Sequence, residues 1–496
     1  MPFFYVLRYS FVPSVQIRKE YSKKERANRM GKCSAGKEKK KLKWWQLSLI
    51  GVGCTIGTGF FLGSGLGIKL AGPAILLSFL IAAIATYIVY DALSAMSIDD
   101  PQKGSFRTYA KKAFGKPMGF MNGWMYWFSE MLIMGSQLTA LSLFSRFWFP
   151  DIPMWIFASI FAVLGLVVII IGTQLFEKIE HISAIVKIAA VLMFVIIVIL
   201  GLTGVINGKD SFDLPLAMKE FFPNDWKKVW SSLVFAFFAF GGIEVMGIMS
   251  LRLKNKEDTP KAGKMMILCL TVIYLVSLSL VVSILQWDQI NTDKSPFLSV
   301  LDLYKIKLVS HLFNSALIIA GFSTMTASLF AITTMLVTLS EDKDAPKFLS
   351  KKGRFAIPIP AFLVTTAGLA LSIVLSLVMP DKVYEYFTTG AGLLILYNWL
   401  LILATYSKLI ELKFLDKLKR NIGILFIFLA ITGTLFAKGT RGGFFVSIGF
   451  LAFVGIVTAI VSLKRKNKEK RIKIYNANRK KRTHAKRKKK KHPKKQ

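Results

Sequence analysis

Residues 44–73 read WWQLSLIGVGCTIGTGFFLGSGLGIKLAGP, and this stretch decides the fold of the chain. It is long and apolar enough to cross the hydrocarbon core of a bilayer as a helix. A plain spanning helix would carry Leu or Val where this one has glycine, at Gly51, Gly53, Gly57, Gly59, Gly63, Gly65 and Gly67. Glycine frees the backbone and weakens helix interiors. A helix that breaks inside a membrane is tolerated only where protein or a polar cavity satisfies the exposed backbone groups. The stretch therefore predicts a binding site made of backbone.

The composition of the chain assigns it to the membrane. The 496 residues are 53% hydrophobic and 13% aromatic, with a mean hydropathy of +0.50. These values exceed those of ordinary soluble domains, and the apolar residues come in blocks of about 20, the length that crosses a bilayer as a helix. We therefore expect an all-α polytopic membrane protein.

The net charge of +38 lies mainly in the two ends of the chain. Residues 1–43 carry 13 Lys/Arg and 3 acids, and residues 464–496 carry 19 and 1, so the ends account for 28 of the 38 charges. Basic flanks mark the cytoplasmic side and attract anionic lipids. Nucleic-acid binding by the C-terminal tail is a less specific alternative. We expect a disordered basic extension at 1–43, in which either Met1 or Met30 is the start, and a polybasic cytoplasmic tail at 464–496.

Cysteine and histidine patterns indicate no redox or metal site. The three cysteines form no CxxC pair, and the four histidines show no zinc-binding spacing. The loops contain no nucleotide-binding motif, and the chain has no hydrolytic triad. We expect no metal, no cofactor and no enzymatic activity, and a driving force other than ATP.

Twelve membrane spans can be marked along the chain. They lie near 44–67, 73–97, 118–146, 153–174, 181–205, 227–250, 265–287, 309–339, 357–379, 384–407, 421–438 and 442–463. The connections on one side carry 21 Lys/Arg and those on the other carry 12, and both basic tails fall on the richer side. The positive-inside rule then places both termini in the cytoplasm.

A second span resembles the first. Residues 230–250, WSSLVFAFFAFGGIEVMGIMS, are again apolar and interrupted by glycine, and the acid Glu244 follows the break. Glycine-interrupted spans at matching positions of two halves indicate an inverted-repeat secondary transporter with its site near the bilayer midplane. The transporter domain, 44–463, would then contain one repeat at 44–205, a second at 227–407 and two extra helices at 421–463.

The first break offers groups that suit a carboxylate. Around Thr55, Gly57, Thr58 and Gly59, an opened turn would present backbone amides and the Thr58 hydroxyl at the positive end of a half-helix. The alternative is a close helix-packing face, since small residues recur at four-residue spacing.

The second break offers groups that suit an ammonium. Its freed carbonyls at Phe238 and Gly241 would accept an amine, and Phe238 or Phe240 would cover the site as an aromatic gate. Glu244 is an acid inside a span, which is functional by default. The alternatives are a structural acid bonded to the amides of the break, and core aromatics among the 40 Phe of the chain.

Two further ionisable residues lie within predicted spans. Lys187 in the fifth span is either a lysine that snorkels to the interface or a buried lysine that changes protonation during transport. Glu130, near the middle of the third span, would pair with Lys187 or attract a cationic side chain of a substrate.

Several motifs, in order, resemble those of amino acid permeases of the amino acid, polyamine and organocation transporter superfamily. GVGCTIGTGFF (51–61) is similar to the first-span GGTIGTGLF pattern, and FFAFGGIEVMGI (237–248) to the sixth-span FxFxGxE pattern. Further similar stretches are GSFRTYAKKAFGKPMGFMNGWMYWF (104–128), WFPDIPMWI (148–156), FEKIEHISAIVKIAAVLMF (176–194), EDKDAPKFL (341–349) and IPIPAF (357–362). The resemblance covers roughly residues 44–460.

The resemblance implies the leucine-transporter fold, with five plus five helices in inverted repeats, two extra helices, and helices 1 and 6 broken. Gly57, Thr58 and Gly59 would bind the substrate carboxylate. Phe238, Ala239 and Gly241 would receive its amine, and Phe240 and Glu244 would lie at the gate. Lys187 would stand where sodium-linked relatives hold a sodium ion.

The residues and the resemblance together indicate secondary active transport of amino acids across the cell membrane by alternating access. The coupling would be proton symport or amino acid exchange, and Glu130 favours cationic substrates. Expected partners are the amino acid, a proton and anionic lipids, with no specific nucleic acid, in a monomer or homodimer. The competing functions are a membrane amino acid sensor and a tether that binds anionic lipid or nucleic acid through its basic tail.

Overall fold

A computed structural model describes residues 42–102, 104–206, 218–350, 358–378 and 382–491. Almost all of the N-terminal extension predicted at 1–43 lies outside these ranges. Within them the chain is helical, and the one β-bridge pairs Leu42 with Leu253.

Eighteen α-helices make up the described part of the chain. In chain order they are α1 Trp44–Thr55, α2 Thr58–Phe61, α3 Gly63–Ala71, α4 Ile75–Asp99, α5 Ser105–Phe114, α6 Lys116–Ser145, α7 Met154–Ile171, α8 Thr173–Leu202, α9 Met218–Phe221, α10 Trp226–Ala239, α11 Ile243–Met249, α12 Thr259–Ile284, α13 Pro296–Leu303, α14 Lys307–Glu341, α15 Ile359–Val378, α16 Val383–Leu409, α17 Phe414–Gly433 and α18 Lys438–Lys491.

The first predicted span falls on α1, α2 and α3, the sixth falls on α10 and α11, and each of the others falls mainly on one helix. Among the described residues, eight helical stretches are long and apolar enough to cross a membrane. Of the other helices, α15 is apolar but falls short in length, and α17 carries the charged KLKR segment at 417–420. The C-terminal tail from 464 continues the last helix to Lys491.

One boundary differs from the prediction in a way that matters for function. The fifth span was predicted to start at 181, but α8 starts at Thr173. Gly172, at φ 112°, ends the preceding helix in a conformation that favours glycine, so the chain turns within a single residue. Glu180 therefore lies inside the helix and not in a connecting loop.

The connections that were predicted to share a side contact one another. Arg107, from the connection before α6, pairs with Asp342 and Asp344, which follow α14. Arg465, at the start of the basic tail, also pairs with Asp344. At the other end of the bundle, Trp148 after α6 donates to His311 near the start of α14. The contacts agree with the grouping derived from the Lys/Arg count.

The core is formed by long helices packed around the interrupted ones. Helix α6 packs along α14 and α16, and α10 packs against α3 and α4. The interruptions in the first and sixth spans, at residues 56–57 and 240–242, are brought together in this core.

Candidate functional site

The first break separates α1 from α2. Ile56 leaves the helical conformation at φ −66°, ψ 110°, and Gly57 is extended at φ −147°, ψ −161°. Helical hydrogen bonding resumes when Phe60 and Phe61 both donate to the carbonyl of Gly57, each at 3.1 Å. The predicted opened turn is therefore present at Gly57.

Three consecutive backbone donors are left free by this turn. Within the described part of the chain, the N–H groups of Gly57, Thr58 and Gly59 donate no hydrogen bond. They stand at the start of a helical path that runs from Thr58 to Ala71 and is interrupted at one residue, Leu62. Free amides at the start of a helix carry partial positive charge and suit an anion.

Helices from across the bundle hold the turn in place. The Thr58 hydroxyl donates to Gln137 Oε1 at 2.7 Å, and the Thr58 carbonyl accepts from the Tyr384 hydroxyl at 3.0 Å. Thr58 is completely buried. A Cβ atom on Gly57 would lie 2.9 Å from Cγ2 of Thr324 in α14. The backbone angles of Gly57 suit any residue. Glycine is needed there because a larger side chain would have no space.

Thr55, at the end of α1, turns its hydroxyl back to its own helix. The hydroxyl donates to the carbonyl of Gly51 at 2.9 Å. A Cβ atom on Gly242 would lie 3.9 Å from this hydroxyl oxygen, so the two breaks meet here.

The second break separates α10 from α11. Gly242 has φ 106°, in the left-handed region that favours glycine. Gly241 and Gly242 are partly exposed, whereas the residues from 231 to 240 before them are buried. Packing therefore seals the break less completely than the helix before it.

The carbonyl groups at the second break are not equally available. Phe238 accepts from the Gly241 N–H, and Ala239 accepts from the Tyr274 hydroxyl, both at 3.0 Å. The carbonyls of Phe240 and Gly241 accept no hydrogen bond within the described residues. Of the three residues predicted to receive an amine, Gly241 offers the least occupied carbonyl.

The two aromatic gate candidates have different surroundings. A Cβ atom on Gly59 would lie 2.8 Å from Cδ1 of Phe238, so the Phe238 ring covers the first break. Phe240 is fully buried in an aromatic cluster, with its ring centroid 5.1 Å from that of Tyr274 and 6.3 Å from that of Phe79. These contacts favour Phe238 as the cover and Phe240 as a core residue.

Glu244 bonds to the break itself. Its Oε2 accepts from the Gly242 N–H at 3.0 Å, and its Oε1 accepts from the indole N–H of Trp399 in α16. The side chain is 2% exposed. This arrangement corresponds to the alternative of a structural acid that satisfies the amides of a broken helix.

Lys187 reaches the first broken helix from α8. Its ammonium donates to the carbonyl of Gly53 at 2.8 Å and to Ser323 Oγ at 3.2 Å. The side chain is 1% exposed, so the residue is buried and does not snorkel. Gly53 lies in the last turn of α1, where the carbonyls have lost their helical partners and favour a cation.

Glu130 lies away from Lys187. Ser328 and Tyr126 lie beside its carboxyl group, and Glu244 is the neighbouring acid. On α6 it stands seven residues before Gln137, a distance of roughly 10 Å along a helix. The structure therefore groups Glu130 with Tyr126, Ser328 and Glu244, and does not pair it with Lys187.

Several residues of the site were not singled out by the sequence. Gln137, Tyr384 and Trp399 bond to the breaks from helices far along the chain. Glu180 accepts from Ser323 Oγ at 2.8 Å and lies 3.7 Å from Cys54 Sγ. An acid seven residues before a buried lysine on one helix was a usable signal, because two turns place both on the same face.

Comparisons with known proteins agree over most of the chain. The model of the family described as amino acid permease matches residues 46–473. The uncharacterized transporter YcgH of Bacillus subtilis (strain 168) is 49% identical, over 89% of this chain and 99% of that protein. The uncharacterized amino acid permease YtnA of the same strain is 30% identical, over 83% and 88%. The aromatic amino acid transport protein AroP of Escherichia coli O6:H1 (strain CFT073) is 28% identical, over 75% and 82%.

Proposed function

The chain belongs to the amino acid permease family of the amino acid, polyamine and organocation superfamily, and from that premise we propose that it transports amino acids by alternating access. The observation that carries the proposal is the meeting of two helix breaks with opposite free groups. Three free amides lie at Gly57, Thr58 and Gly59, and free carbonyls lie at Phe240 and Gly241. A zwitterion with a carboxylate and an ammonium on one carbon matches this pair of breaks.

In the proposed site, Gly57, Thr58 and Gly59 bind the carboxylate through their amides, and Thr55 lines the same turn. Gly241 receives the amine, with Phe238 and Ala239 completing that side of the site. The ring of Phe238, which packs on Gly59, covers the substrate. Phe240 and Glu244 keep the second break in shape, so their part in gating is indirect.

The proposed fold has twelve spans in two inverted repeats of five, followed by two helices. Two features support the repeats. The first and sixth spans are both interrupted, at residues 56–57 and 240–242. In each set the fifth span supplies a buried donor to the broken span, as Lys187 does to Gly53 and Trp399 does to Glu244. We place the protein in the cell membrane with both termini in the cytoplasm, where the basic ends contact anionic lipid.

Proton coupling is proposed through Lys187. The buried ammonium bonds to the broken helix, so its charge contributes to holding α1 in its present position. Loss of the proton removes an ammonium donor and its charge, which would weaken this contact and bias the equilibrium between two conformations. A proton would thereby take the role of a coupling cation.

Two substrate classes follow from two different observations. Glu130 favours cationic amino acids, because it is a buried acid that neighbours Glu244 at the second break. The relatives named as aromatic amino acid transport proteins favour aromatic substrates. A competition panel of the twenty amino acids, read as binding-induced thermal shifts of the purified protein, separates the two.

The same thermal-shift assay tests the proposed function. A shift with an amino acid that is lost with analogues lacking the α-carboxylate or the α-amine supports transport through the two breaks. Binding without uptake into proteoliposomes would instead indicate a sensor. If binding is absent and deletion of residues 464–496 abolishes the only detectable interaction, with anionic lipid or nucleic acid, the tether would be favoured.

A further inference from the structure

The hydrogen bonds of Lys187 continue beyond it to a second carboxyl group. Lys187 donates to Ser323 Oγ at 3.2 Å, and Ser323 Oγ donates to Glu180 Oε1 at 2.8 Å. Both hydrogen bonds run in the same direction: the Lys187 ammonium donates to the Ser323 hydroxyl, and the Ser323 hydroxyl donates to the Glu180 carboxylate. This is the order required for a proton to move from Lys187 to Glu180.

Exposure changes along the same path. Lys187 is 1% exposed, Ser323 is completely buried, and Glu180 is partly exposed. Glu180 lies two helical turns nearer to the start of α8, the end of the helix that the Lys/Arg count assigns to the cytoplasm. The path thus runs from a sealed interior to a residue with some exposed surface.

Among the described side chains, Glu180 on the same helix is the acid whose charge acts on Lys187, and the Cys54 thiol on α1 is an uncharged neighbour. Cys54 lies 3.7 Å from Glu180 Oε2 and donates to it. Helix α14 contributes Ser323, which carries no charge. An acid is therefore the nearest charged partner of the buried lysine.

We infer that Glu180 is the proton-exit residue of the transporter, receiving the Lys187 proton through Ser323 and releasing it to cytoplasmic water. This inference rests on the proposed proton coupling. In the step, the Lys187 ammonium gives a proton to Ser323 Oγ while the Ser323 hydroxyl proton passes to Glu180. Neutral Lys187 and a protonated Glu180 result, and the carboxyl group then protonates a water molecule. Each group loses or gains one proton, and Ser323 is unchanged.

The experiment compares Glu180→Gln with wild type in proteoliposomes. Gln keeps an acceptor oxygen for Ser323 but cannot take up a proton, so the packing remains and the relay is lost. One assay measures amino acid counterflow at equal pH on both sides, which requires no net proton movement. The other measures accumulation driven by an alkaline interior, with a pH-sensitive dye trapped inside to report proton entry. Glu411→Gln, at an exposed carboxyl group between α16 and α17, is the matched control.

Glu180→Gln should retain counterflow and lose pH-driven accumulation and proton entry by at least about tenfold, as expected for loss of a proton-transfer group. Glu180→Asp should recover part of the accumulation, and Glu411→Gln should resemble wild type. Wild-type accumulation in Glu180→Gln would overturn the assignment, as would loss of counterflow in a variant that still binds substrate. If wild type itself shows no response to the pH gradient, the proposed proton coupling fails and the relay fails with it.

Discussion

The ammonium of Lys187 lies 2.8 Å from the carbonyl oxygen of Gly53, in the last turn of the helix that ends at the first break. A cation at the carboxyl end of a helix is favourable because the last carbonyls have no helical partners. The break that frees the amides of Gly57 to Gly59 on one side also frees carbonyls on the other. One interruption of the helix thus leaves free backbone donors on one side and free backbone acceptors on the other.

The glycines of the first turn provide the first prediction. Gly57→Ala and Gly59→Ala should each weaken substrate binding by roughly 10- to 100-fold, because overpacking a filled site costs about 1–3 kcal/mol. The new methyl groups would meet Thr324 at 2.9 Å and Phe238 at 2.8 Å. The measurement is the binding-induced thermal shift titrated with substrate.

Gly63→Ala is the control for these two variants. A Cβ atom at Gly63 has its nearest neighbour, the Tyr384 hydroxyl, at an ordinary 3.5 Å. Its affinity should remain near that of wild type. Equal losses in all three variants would mean that the whole segment, and not the turn at the break, limits binding.

The second prediction separates the two interpretations of Glu244. Glu244→Ala leaves the Gly242 amide and the Trp399 indole without an acceptor, and each unsatisfied buried donor costs about 1–3 kcal/mol. Thermal unfolding in detergent should therefore shift to lower temperature, with Glu244→Gln intermediate because it retains one acceptor oxygen. A Glu244→Gln protein with wild-type stability and no transport would instead assign the acid to coupling.

The third prediction concerns the ion pairs at the end of the bundle assigned to the cytoplasm. Arg107 is 1% exposed, donates to Asp342 at 2.7 Å and also pairs with Asp344, which is 2% exposed. Arg107→Ala should lower the free energy of unfolding by about 1–3 kcal/mol, because Asp344 loses a buried donor and keeps Arg465 as its remaining partner. The measurement is thermal or denaturant unfolding, with the monodisperse fraction on size-exclusion chromatography as the readout.

Lys112→Ala serves as the control for Arg107. Lys112 pairs with Asp100, and both side chains are about two-fifths exposed. Exposed pairs contribute at most about 1 kcal/mol, so this variant should be close to wild type. Similar destabilisation by the two substitutions would contradict the claim that the buried ion pair contributes more to stability than the exposed pair.

The sequence was sufficient for the features that depend on local pattern. The glycines at 57 and 241–242 predicted both breaks, and the apolar runs predicted helices, of which eight stretches among the described residues are long and apolar enough to cross a membrane. The partners of the breaks could not be predicted, because they come from distant helices. Thr58 and Gln137 are 79 residues apart, and Glu244 and Trp399 are 155 residues apart. Glu180 was missed because the predicted start of its helix lay one residue after it.

The most direct test of proton coupling through Lys187 is uptake of a radiolabelled amino acid into proteoliposomes with an alkaline interior and no sodium. The amino acid is chosen by the competition panel. Wild type should accumulate the amino acid above its external concentration, and Lys187→Ala should lose that accumulation. Uptake that requires sodium and does not respond to the pH gradient, or unchanged accumulation by Lys187→Ala, would contradict the proposal that a buried lysine couples protons to transport.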